Sequence, residues 1–465
     1  MKKKLSVRNL VLSFLERIAK IDKCLDGLNS VLEINPEALP IADSLDRKLC
    51  ETCFSGKDSL HDKNFPPLFG IPVLLKDNIN TADRLHTSAG SLALADNYAP
   101  YDAHIVKLLR EAGAVILGKA NMTEFANYMT REGMPSGYSS RGGQVINPYN
   151  KSVTPSGSSS GSAVAVAAGL CAVSIGTETS GSILSPAAHN GVVGVKPTLG
   201  LVGRSGTVPI SCTHDTAGSM ARTAEDAAIV LAVIAGHDPD DAFTRPGVTP
   251  DYLSGPFTVN GMRIGINRWF WEKDDDPFKD ENKSAFNRLC GMLKEAGAIL
   301  AENVDIGNFS NGGKIMRYEF KACMNFYLST LGCGSKMKSL SDIVKFNQAN
   351  ARTALKYGQS ILLDAENNTS GFLTEPEYIE NLSEREKAVA KFDALFNDNN
   401  IDVLLCENFS NIAPYTGFPS LTIPVGKRKD NLPIGSYWIA RRFDEAALFR
   451  AAISAERLLG LKLKP

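Results

Sequence analysis

The chain has 465 residues, 43% of them apolar, and its 50 basic residues are balanced by 51 acidic ones. A net charge of −1 provides no basic surface for nucleic acid, and the lack of a run of about 18 apolar residues argues against a membrane-spanning helix. Nine scattered cysteines, an odd number, argue against a disulfide framework and predict a reducing, cytoplasmic location.

The first predicted elements are a helix and a buried strand. Apolar residues recur at helical spacing over 10–21, and the charged pair Glu16-Arg17 favours an amphipathic helix over a signal peptide. Cys50 and Cys53 form a C-x-x-C pair, which we interpret as a coincidence on a helix surface, because a second pair and a βαβ context are both missing. The apolar run FGIPVLL at 69–75 predicts a buried strand that ends at Lys76.

A helix, a glycine and a strand then form a unit that occurs twice. The sequence LLREAGAVIL includes Gly113, and MLKEAGAILA repeats the same pattern at 292–301. In both copies the glycine is expected to end the helix in a left-handed conformation before a buried strand. Such alternation predicts a largely parallel sheet covered by helices.

The remaining elements follow in order along the chain. Residues 162–170 predict a helix of small residues, 171–175 a strand and 176–182 a polar loop. An Asp-, Pro- and Gly-rich stretch at 238–256 predicts a surface connection, and the pattern is more helical and polar over 267–400. The C-terminal part predicts strands at 403–405, 421–425 and 434–439 and a helix at 446–459. We expect these last strands to complete the sheet of the N-terminal half.

Two clusters of serine and glycine are the strongest functional signal. They are TPSGSSSGS at 154–162 and GTETSGS at 176–182. The second follows a predicted buried strand, where α/β proteins often expose reactive groups, and its small residues let backbone N–H groups converge as an oxyanion hole requires. Ser182, at the end of this loop, is therefore a candidate nucleophile. Flexible linkers are the alternative, which the apolar flanks of the second cluster disfavour.

A serine nucleophile needs a base, and histidine fails this requirement. The segment GSSSG at 157–161 matches the nucleophile elbow G-x-S-x-G, but the preceding residues are too polar and Pro-rich for a strand, and the last histidine is His237. Lysine is the remaining candidate base. Lys76 follows a buried strand, where loss of solvent lowers the pKa of an amine, and Lys196 in VGVKPT competes with it on the same grounds.

These segments resemble the amidase-signature family. The segments that match are TPSGSSSGSAVAVAAG, GTETSGSILSPAAHNGVVGVKPT, FGIPVLLKDNI, ILGKANMTEFAN, TGFPSLTIPVG and LPIGSYWIARRFDEAALFRAA. The resemblance covers nearly the whole chain and is weakest between about 245 and 400.

The resemblance implies a Ser–Ser–Lys catalytic set. Lys76 matches the family's catalytic lysine, Ser158 the serine that follows a cis peptide bond, and Ser182 the acyl-accepting nucleophile. Neutral Lys76 would take a proton from Ser158, which takes one from Ser182 as Ser182 attacks the amide carbonyl. The backbone donors of the oxyanion hole are implied to be Thr179, Ser180, Gly181 and Ser182.

The variants within these motifs bear on the substrate. Glu178, Ser180 and Leu184 stand where the family more often has aspartate, glycine and arginine, and SGYSSRGG with the TET-x-GS form is most like the peptide amidase branch. The predicted activity is therefore release of ammonia from a carboxamide, with a peptide C-terminal amide as the first substrate to test. The alternative is the A-type subunit of a glutamine-dependent aminoacyl-tRNA amidotransferase, which shares the catalytic set. A catalytically dead binding protein is disfavoured, because Lys76, Ser158 and Ser182 are all present.

The resemblance also implies the fold: a single α/β domain over 1–465, with a twisted mixed β-sheet covered by helices on both faces. The more helical region at about 267–400 is expected to roof the site and select the substrate. No cofactor or metal is expected, because serine acyl chemistry needs none and no His/Cys/Asp cluster has ligand spacing. The expected partner is a small-molecule or peptide amide, with no nucleic acid and no membrane; the oligomeric state is not predicted.

Overall fold

The structure is a computed structural model that describes residues 5–54, 65–246, 251–268, 277–307, 309 and 312–465. The α-helices are α1 (Val7–Arg17), α2 (Ala38–Phe54), α3 (His104–Glu111), α4 (Ser160–Ala167), α5 (Leu184–His189), α6 (Ala224–Ile234), α7 (Lys279–Glu295), α8 (Gly313–Thr330), α9 (Leu340–Ala349), α10 (Ala351–Ala354), α11 (Ser360–Asn368), α12 (Pro376–Asp398), α13 (Ile412–Thr416) and α14 (Glu445–Leu459). The strands are β1 (Val31–Ile34), β2 (Pro72–Lys76), β3 (Val115–Ala120), β4 (Tyr138–Ser139), β5 (Gly143–Gln144), β6 (Val173–Glu178), β7 (Val193–Lys196), β8 (Thr216–Ala221), β9 (Arg263–Asn267), β10 (Ile299–Ala301), β11 (Val403–Cys406), β12 (Ser420–Lys427) and β13 (Pro433–Ala440).

Eleven of the described strands form one mixed sheet, in the order β1-β3-β2-β6-β8-β7-β12-β13-β11-β9-β10. The prediction of a mixed sheet in a single α/β domain is confirmed. The expectation of a largely parallel sheet from helix–strand alternation is wrong, because β8, β7, β12 and β13 pair antiparallel in the middle of the sheet.

The repeated helix–glycine–strand unit builds the parallel parts of the sheet. Helix α3 connects β2 to its parallel neighbour β3, and α7 connects β9 to its parallel neighbour β10. Gly113 and Gly297, which follow these helices, have φ values of +79° and +91°. The predicted left-handed helix ends are confirmed at both positions, and the unit is a βαβ crossover.

Helices cover both faces of the sheet, and the alternation along β2 shows how. Val73 and Leu75 pack in the core on the side of α3, α6, α7 and α14. Leu74 packs in a second core with residues of α1, α2 and α4. Successive side chains of a strand point to opposite faces, so Lys76 shares the face of Leu74 and lies under α4.

The two halves of the chain join in the middle of the sheet. Strand β12 pairs antiparallel with β7, with Ser420 opposite Lys196 and Leu421 opposite Val195. The expectation that the C-terminal strands complete the N-terminal sheet is confirmed.

None of the described helices is long and apolar enough to cross a membrane. Cys50 is exposed on α2, as its surface interpretation requires, whereas the side chain of Cys53 lies outside the described residues.

Candidate active site

Lys76 ends β2 and is completely buried, and its amine contacts one of the predicted serines. Its Nζ lies 2.8 Å from Ser158 Oγ, 2.8 Å from Thr177 Oγ1 and 3.0 Å from the Thr177 carbonyl oxygen. Thr177 lies in the neighbouring strand β6, so parallel pairing of β2 with β6 brings the lysine to its partners. A neutral amine has two N–H groups and one lone pair. Two bonds donated to Thr177 would leave that lone pair facing Ser158.

Burial lowers the pKa of Lys76 from its ordinary value of 10.5 to about 7. Transfer of an ammonium out of water disfavours the charged form, and this effect exceeds the attraction of two carboxylates, Asp215 and Glu178, which raise the pKa. At neutral pH a large share of the amine is therefore uncharged and able to accept a proton.

Two further buried lysines have different partners. Lys196 donates to the carbonyl oxygen of Pro197 at 2.8 Å, and Lys119 donates to Ile79 O at 2.5 Å and Thr87 Oγ1 at 2.9 Å. Burial lowers the pKa of each to about 8. Of the two lysines that sequence considerations left as candidates, it is therefore Lys76 that contacts a serine of the glycine-rich clusters.

Ser158 is buried just before α4, and the Gly157–Ser158 peptide bond is cis, as predicted. Its carbonyl oxygen accepts a hydrogen bond from the N–H of Thr123 at 3.1 Å. The residues from 147 to 159 form turns and loops rather than a strand. The strand that a nucleophile elbow would need before Ser159 is thus absent from a segment that is described throughout.

Ser182 lies in the turn between β6 and α5, with 8% of its surface exposed. The N–H of Ser159 donates to the Ser182 carbonyl oxygen at 3.1 Å, so the two serine-rich clusters lie side by side. The prediction of a loop over 176–182 is wrong at its start. Gly176 to Glu178 belong to β6, which pairs with β8, and the turn begins at Thr179.

Glu178 holds this turn against the start of α5. The N–H groups of Ile183 and Leu184 donate to Glu178 Oε2 at 2.7 and 3.0 Å. Burial raises the pKa of Glu178, whereas Lys196 and the backbone N–H groups of Leu184, Ile183 and Gly181 oppose the increase. A carboxylate at a helix N-terminus satisfies N–H groups that have no partner within the helix, so Glu178 helps to fix the position of Ser182.

Asp215 and Thr177 are site residues that the sequence did not reveal. Asp215 accepts hydrogen bonds from Thr179 Oγ1 at 2.5 Å and from the N–H groups of Ile210 and Ser211 at 2.7 and 2.9 Å. It lies 36 residues from Thr179 in a segment without a recognised motif, so no local signal marks it. Burial raises the pKa of Asp215, whereas hydrogen bonds from Thr179, Ser211 and Ile210 and the charge of Arg204 oppose the increase, and the ionised form of Asp215 raises the pKa of Lys76.

A C-terminal segment closes over the same turn. Ser180 Oγ lies 3.0 Å from Asn411 Oδ1. A Cβ atom on Gly181, whose φ is +88°, would approach the ring of Phe409 to 2.9 Å. A side chain at this position would therefore meet both backbone strain and a clash, and glycine lets the turn pass beneath Phe409.

Among the residues that the structure describes, no group of three or more His, Cys, Asp and Glu side chains is arranged to hold a metal ion. The arrangement is instead a buried amine with a pKa of about 7, a serine within hydrogen-bond distance of it, and a second serine in an adjoining glycine-containing turn. Such a set can accept and return protons.

The fold and the matching family model define the class: residues 9–449 match the model described as Amidase, and the chain belongs to this family of amide-hydrolysing enzymes. It is 37% identical over 482 residues to a probable amidase from Arabidopsis thaliana, covering 100% of this chain and 89% of that protein. The structure of native peptide amidase from Stenotrophomonas maltophilia superposes with a TM-score of 0.87 at 38% identity, covering 99% of this chain and 95% of that one.

A second kind of relative belongs to an assembly. The chain is 33% identical over 443 residues to the A-type subunit of glutamyl-tRNA(Gln) amidotransferase from Koribacter versatilis, covering 86% of this chain and 87% of that protein. Both kinds of relative span most of the chain, so the fold is shared and the individual activity has to be argued from this chain's own residues.

Proposed function

We propose that this amidase hydrolyses primary carboxamides, releases ammonia and forms an acyl-enzyme on Ser182. The observation that carries the proposal is the contact of a buried Lys76 amine, whose pKa is about 7, with Ser158 Oγ at 2.8 Å. A serine hydroxyl is a poor nucleophile until a base removes its proton. In this chain the proposed base is an amine whose pKa burial lowers to about 7, so that a substantial share of it is neutral at pH 7.

The proposed reaction begins with a proton relay. Neutral Lys76 accepts the proton of Ser158 while Ser158 accepts the proton of Ser182, and Ser182 Oγ attacks the amide carbonyl carbon. The C–N bond then breaks, and the relay in reverse protonates the leaving nitrogen, which departs as ammonia. Water attacks the resulting ester by the same relay and releases the carboxylic acid and free Ser182.

The oxyanion of each tetrahedral intermediate needs hydrogen-bond donors. We assign these to backbone N–H groups of the nucleophile turn, which comprises Thr179, Ser180, Gly181 and Ser182; the N–H of Gly181 also bonds to Glu178. Within the described part of the chain, no hydrogen bond is donated by the N–H of Ser180 or Ser182, which leaves both available to the substrate. Preorganised donors of this kind typically contribute about 10²–10³ in rate each.

A peptide C-terminal amide is the proposed first substrate, supported by the likeness to peptide amidase. The second candidate, the A-type subunit of an amidotransferase, is supported by the likeness to the Koribacter protein. Ammonia release by the purified chain alone distinguishes the two: activity on peptide amides favours the first, and L-glutaminase activity that depends on added subunits favours the second.

We further propose a cytoplasmic location, supported by the eight cysteines with described side chains, which are all free.

Replacement of the nucleophile tests the proposed function most directly. Ser182→Ala should lower kcat by several orders of magnitude and abolish labelling by a fluorophosphonate probe, with an unchanged circular dichroism spectrum. Ser180→Ala in the same turn is the matched control and should keep the labelling. Activity of Ser182→Ala above a few per cent, or labelling lost equally in both variants, would refute Ser182 as the nucleophile.

A further inference from the structure

A cavity of about 670 Å³ lies beside the nucleophile turn. Thr177, which accepts hydrogen bonds from Lys76, and Thr179 form part of its wall. Helix α8 forms another part with Phe326, whose side chain is 71% exposed and marks the opening. The volume lies within the range of roughly 300–1,000 Å³ of small-molecule sites. The cavity thus extends from Thr177 and Thr179, which adjoin the candidate site, to the exposed Phe326.

Apolar groups make up much of the cavity wall. The segment before β8 faces α8 and the loop after α11 across the cavity, and the contributing apolar side chains include Val208, Pro209, Ile210, Ala322, Phe326 and Leu373. Many polar groups of the described wall bond to each other or to neighbours, whereas Asn78 Oδ1 and Thr207 Oγ1 are buried without a hydrogen-bond partner. Tyr327 OH donates to Asn80 Oδ1 at 2.8 Å, and Tyr101 OH lies 2.5 Å from Thr330 Oγ1. Hydroxyls satisfied in this way leave their rings and methyl groups as the contact surface.

The charged groups of the described wall are mostly neutralised. Arg204 donates to Asp241 at 2.6 and 2.7 Å, and its guanidinium lies 4.4 Å from the ring centroid of Phe243. Asp215 accepts three hydrogen bonds. Asp240 is solvent-exposed and adds a negative charge at the surface. No cation in the described wall therefore remains to pair with an anionic ligand.

We propose that this cavity binds the acyl chain of the amide, that it takes uncharged apolar chains and rejects anionic ones, and that Phe326 is a specificity-determining residue at its opening. The inference rests on the proposed function, because a reaction that releases ammonia leaves the whole remainder of the substrate on the acyl side. Removal of a carboxylate from water without a partner is costly, whereas each buried methylene is favourable.

A pair of primary amides of equal length tests this selectivity. Hexanamide ends in a methyl group where adipamate ends in a carboxylate, and propanamide reports the chemistry without a long chain. We expect kcat/KM for hexanamide to exceed that for adipamate and for propanamide by at least about tenfold each. Equal values for hexanamide and adipamate would overturn the inference.

A charge placed at the opening tests the role of Phe326. Phe326→Arg should raise the ratio of adipamate to hexanamide kcat/KM at least about tenfold, because the new cation can pair with the carboxylate. Phe372→Arg is the matched control, since Phe372 is 82% exposed and lies outside the cavity wall. A similar change of ratio in both variants would show that general charge, rather than the opening, sets the preference.

Binding to a variant that cannot turn over substrate separates this inference from the proposed function. Saturation-transfer NMR on Ser182→Ala should show hexanamide bound and adipamate unbound at equal concentration. If the wild-type chain releases ammonia from no amide but Ser182→Ala keeps this preference, the proposed function fails and the cavity assignment stands. If ammonia is released while Ser182→Ala binds both amides equally, the cavity assignment fails alone.

Discussion

Lys76 shows how the end of a buried strand can lower the pKa of an ordinary amine. The four residues before it are buried in the sheet, and the strand carries the side chain into the interior, where Thr177 and Ser158 are its hydrogen-bond partners. Asp77, the next residue, faces the other way and bonds to Ser88 and to the N–H of Gly90. The carboxylate of Asp77 is thus directed away from Lys76. Burial, which lowers the pKa of Lys76, is therefore not offset by the adjacent residue.

The first prediction concerns the pH dependence of the reaction. Because the relay needs an uncharged Lys76, kcat/KM for a neutral amide should rise with pH through an apparent pKa near 7 and level off above it. Lys76→Arg should lose this rise and fall by at least about 10²–10⁴ in rate, since guanidinium stays protonated. Steady-state kinetics from pH 5.5 to 9.5 measure both. Near-native activity of Lys76→Arg would make the residue a positioning cation.

The second prediction concerns Asp215, whose negative charge raises the pKa of Lys76. Asp215→Asn should move the rising limb of kcat/KM to lower pH, because loss of the anion removes stabilisation of the ammonium. The amide can still bond to Thr179 and to the two N–H groups. Asp241→Asn is the matched control: this carboxylate pairs with Arg204 and should leave the limb in place. A shift to higher pH, or equal shifts in both variants, would contradict the assignment.

At the level of elements, helix α4 depends on a glycine that admits close contact. A Cβ atom on Gly161 would come within 2.3 Å of the carbonyl oxygens of Asn121 and Ser30. The helix is buried from Ser160 to Val166, and Ser158 lies just before its start. Its position against the edge of the sheet therefore requires a residue without a side chain.

The third prediction compares two glycines in helices. Gly161→Ala should lower the free energy of unfolding by at least about 1–3 kcal/mol, because backbone atoms cannot move aside without displacing the helix. Gly291→Ala in α7 should raise it by about 0.5–1 kcal/mol, since nothing lies within 4 Å of the new methyl group. Urea unfolding measures both. Equal changes of the same sign would show that packing at α4 is looser than the distances imply.

Local sequence patterns predicted elements well where the periodicity of apolar residues determines the structure. The strand expected at 69–75 is Pro72–Lys76, and the helix expected at 446–459 is Glu445–Leu459. The polar composition of 176–178 predicted a loop, but these residues form a strand. Their pairing partners in β8 are Gly218 for Gly176, Ala217 for Thr177 and Thr216 for Glu178. Pairing partners 38 to 42 residues away along the chain decided this stretch, and its own composition gave no sign of them.

At the scale of the whole molecule, the strands from the first half of the chain lie together on one side of the large sheet, and those from the second half, β9 to β13, lie together on the other. Motif matches located Lys76, Ser158 and Ser182, but the neighbours Thr177, Asp215 and Asn411 arrive from other segments and could not be placed. The expectation of a largely parallel sheet is wrong for a related reason, because strands far apart along the chain pair with each other. Helix–strand alternation predicts parallel neighbours, whereas β12 and β13 insert antiparallel between β7 and β11.

The fourth prediction is that the chain unfolds in a single transition. The buried Trp438 in β13 lies in the C-terminal half of the chain, next to β12, and β12 pairs with β7 of the N-terminal half. Far-ultraviolet circular dichroism and thiol accessibility of buried Cys171 near β6 should report the same urea midpoint. Separate midpoints would indicate that the halves fold independently.

The pairing of β7 with β12 has a consequence for biosynthesis. When Lys196 leaves the ribosome, the strand partner that begins at Ser420 has not been made. At about 5–20 residues per second, translation of the intervening segment takes on the order of ten to forty seconds. Throughout that interval the nascent sheet carries an open hydrogen-bonding edge beside apolar residues, a template for intermolecular pairing. Protection of the nascent chain by a chaperone, and the speed of translation between these two strands, therefore govern the yield of folded enzyme.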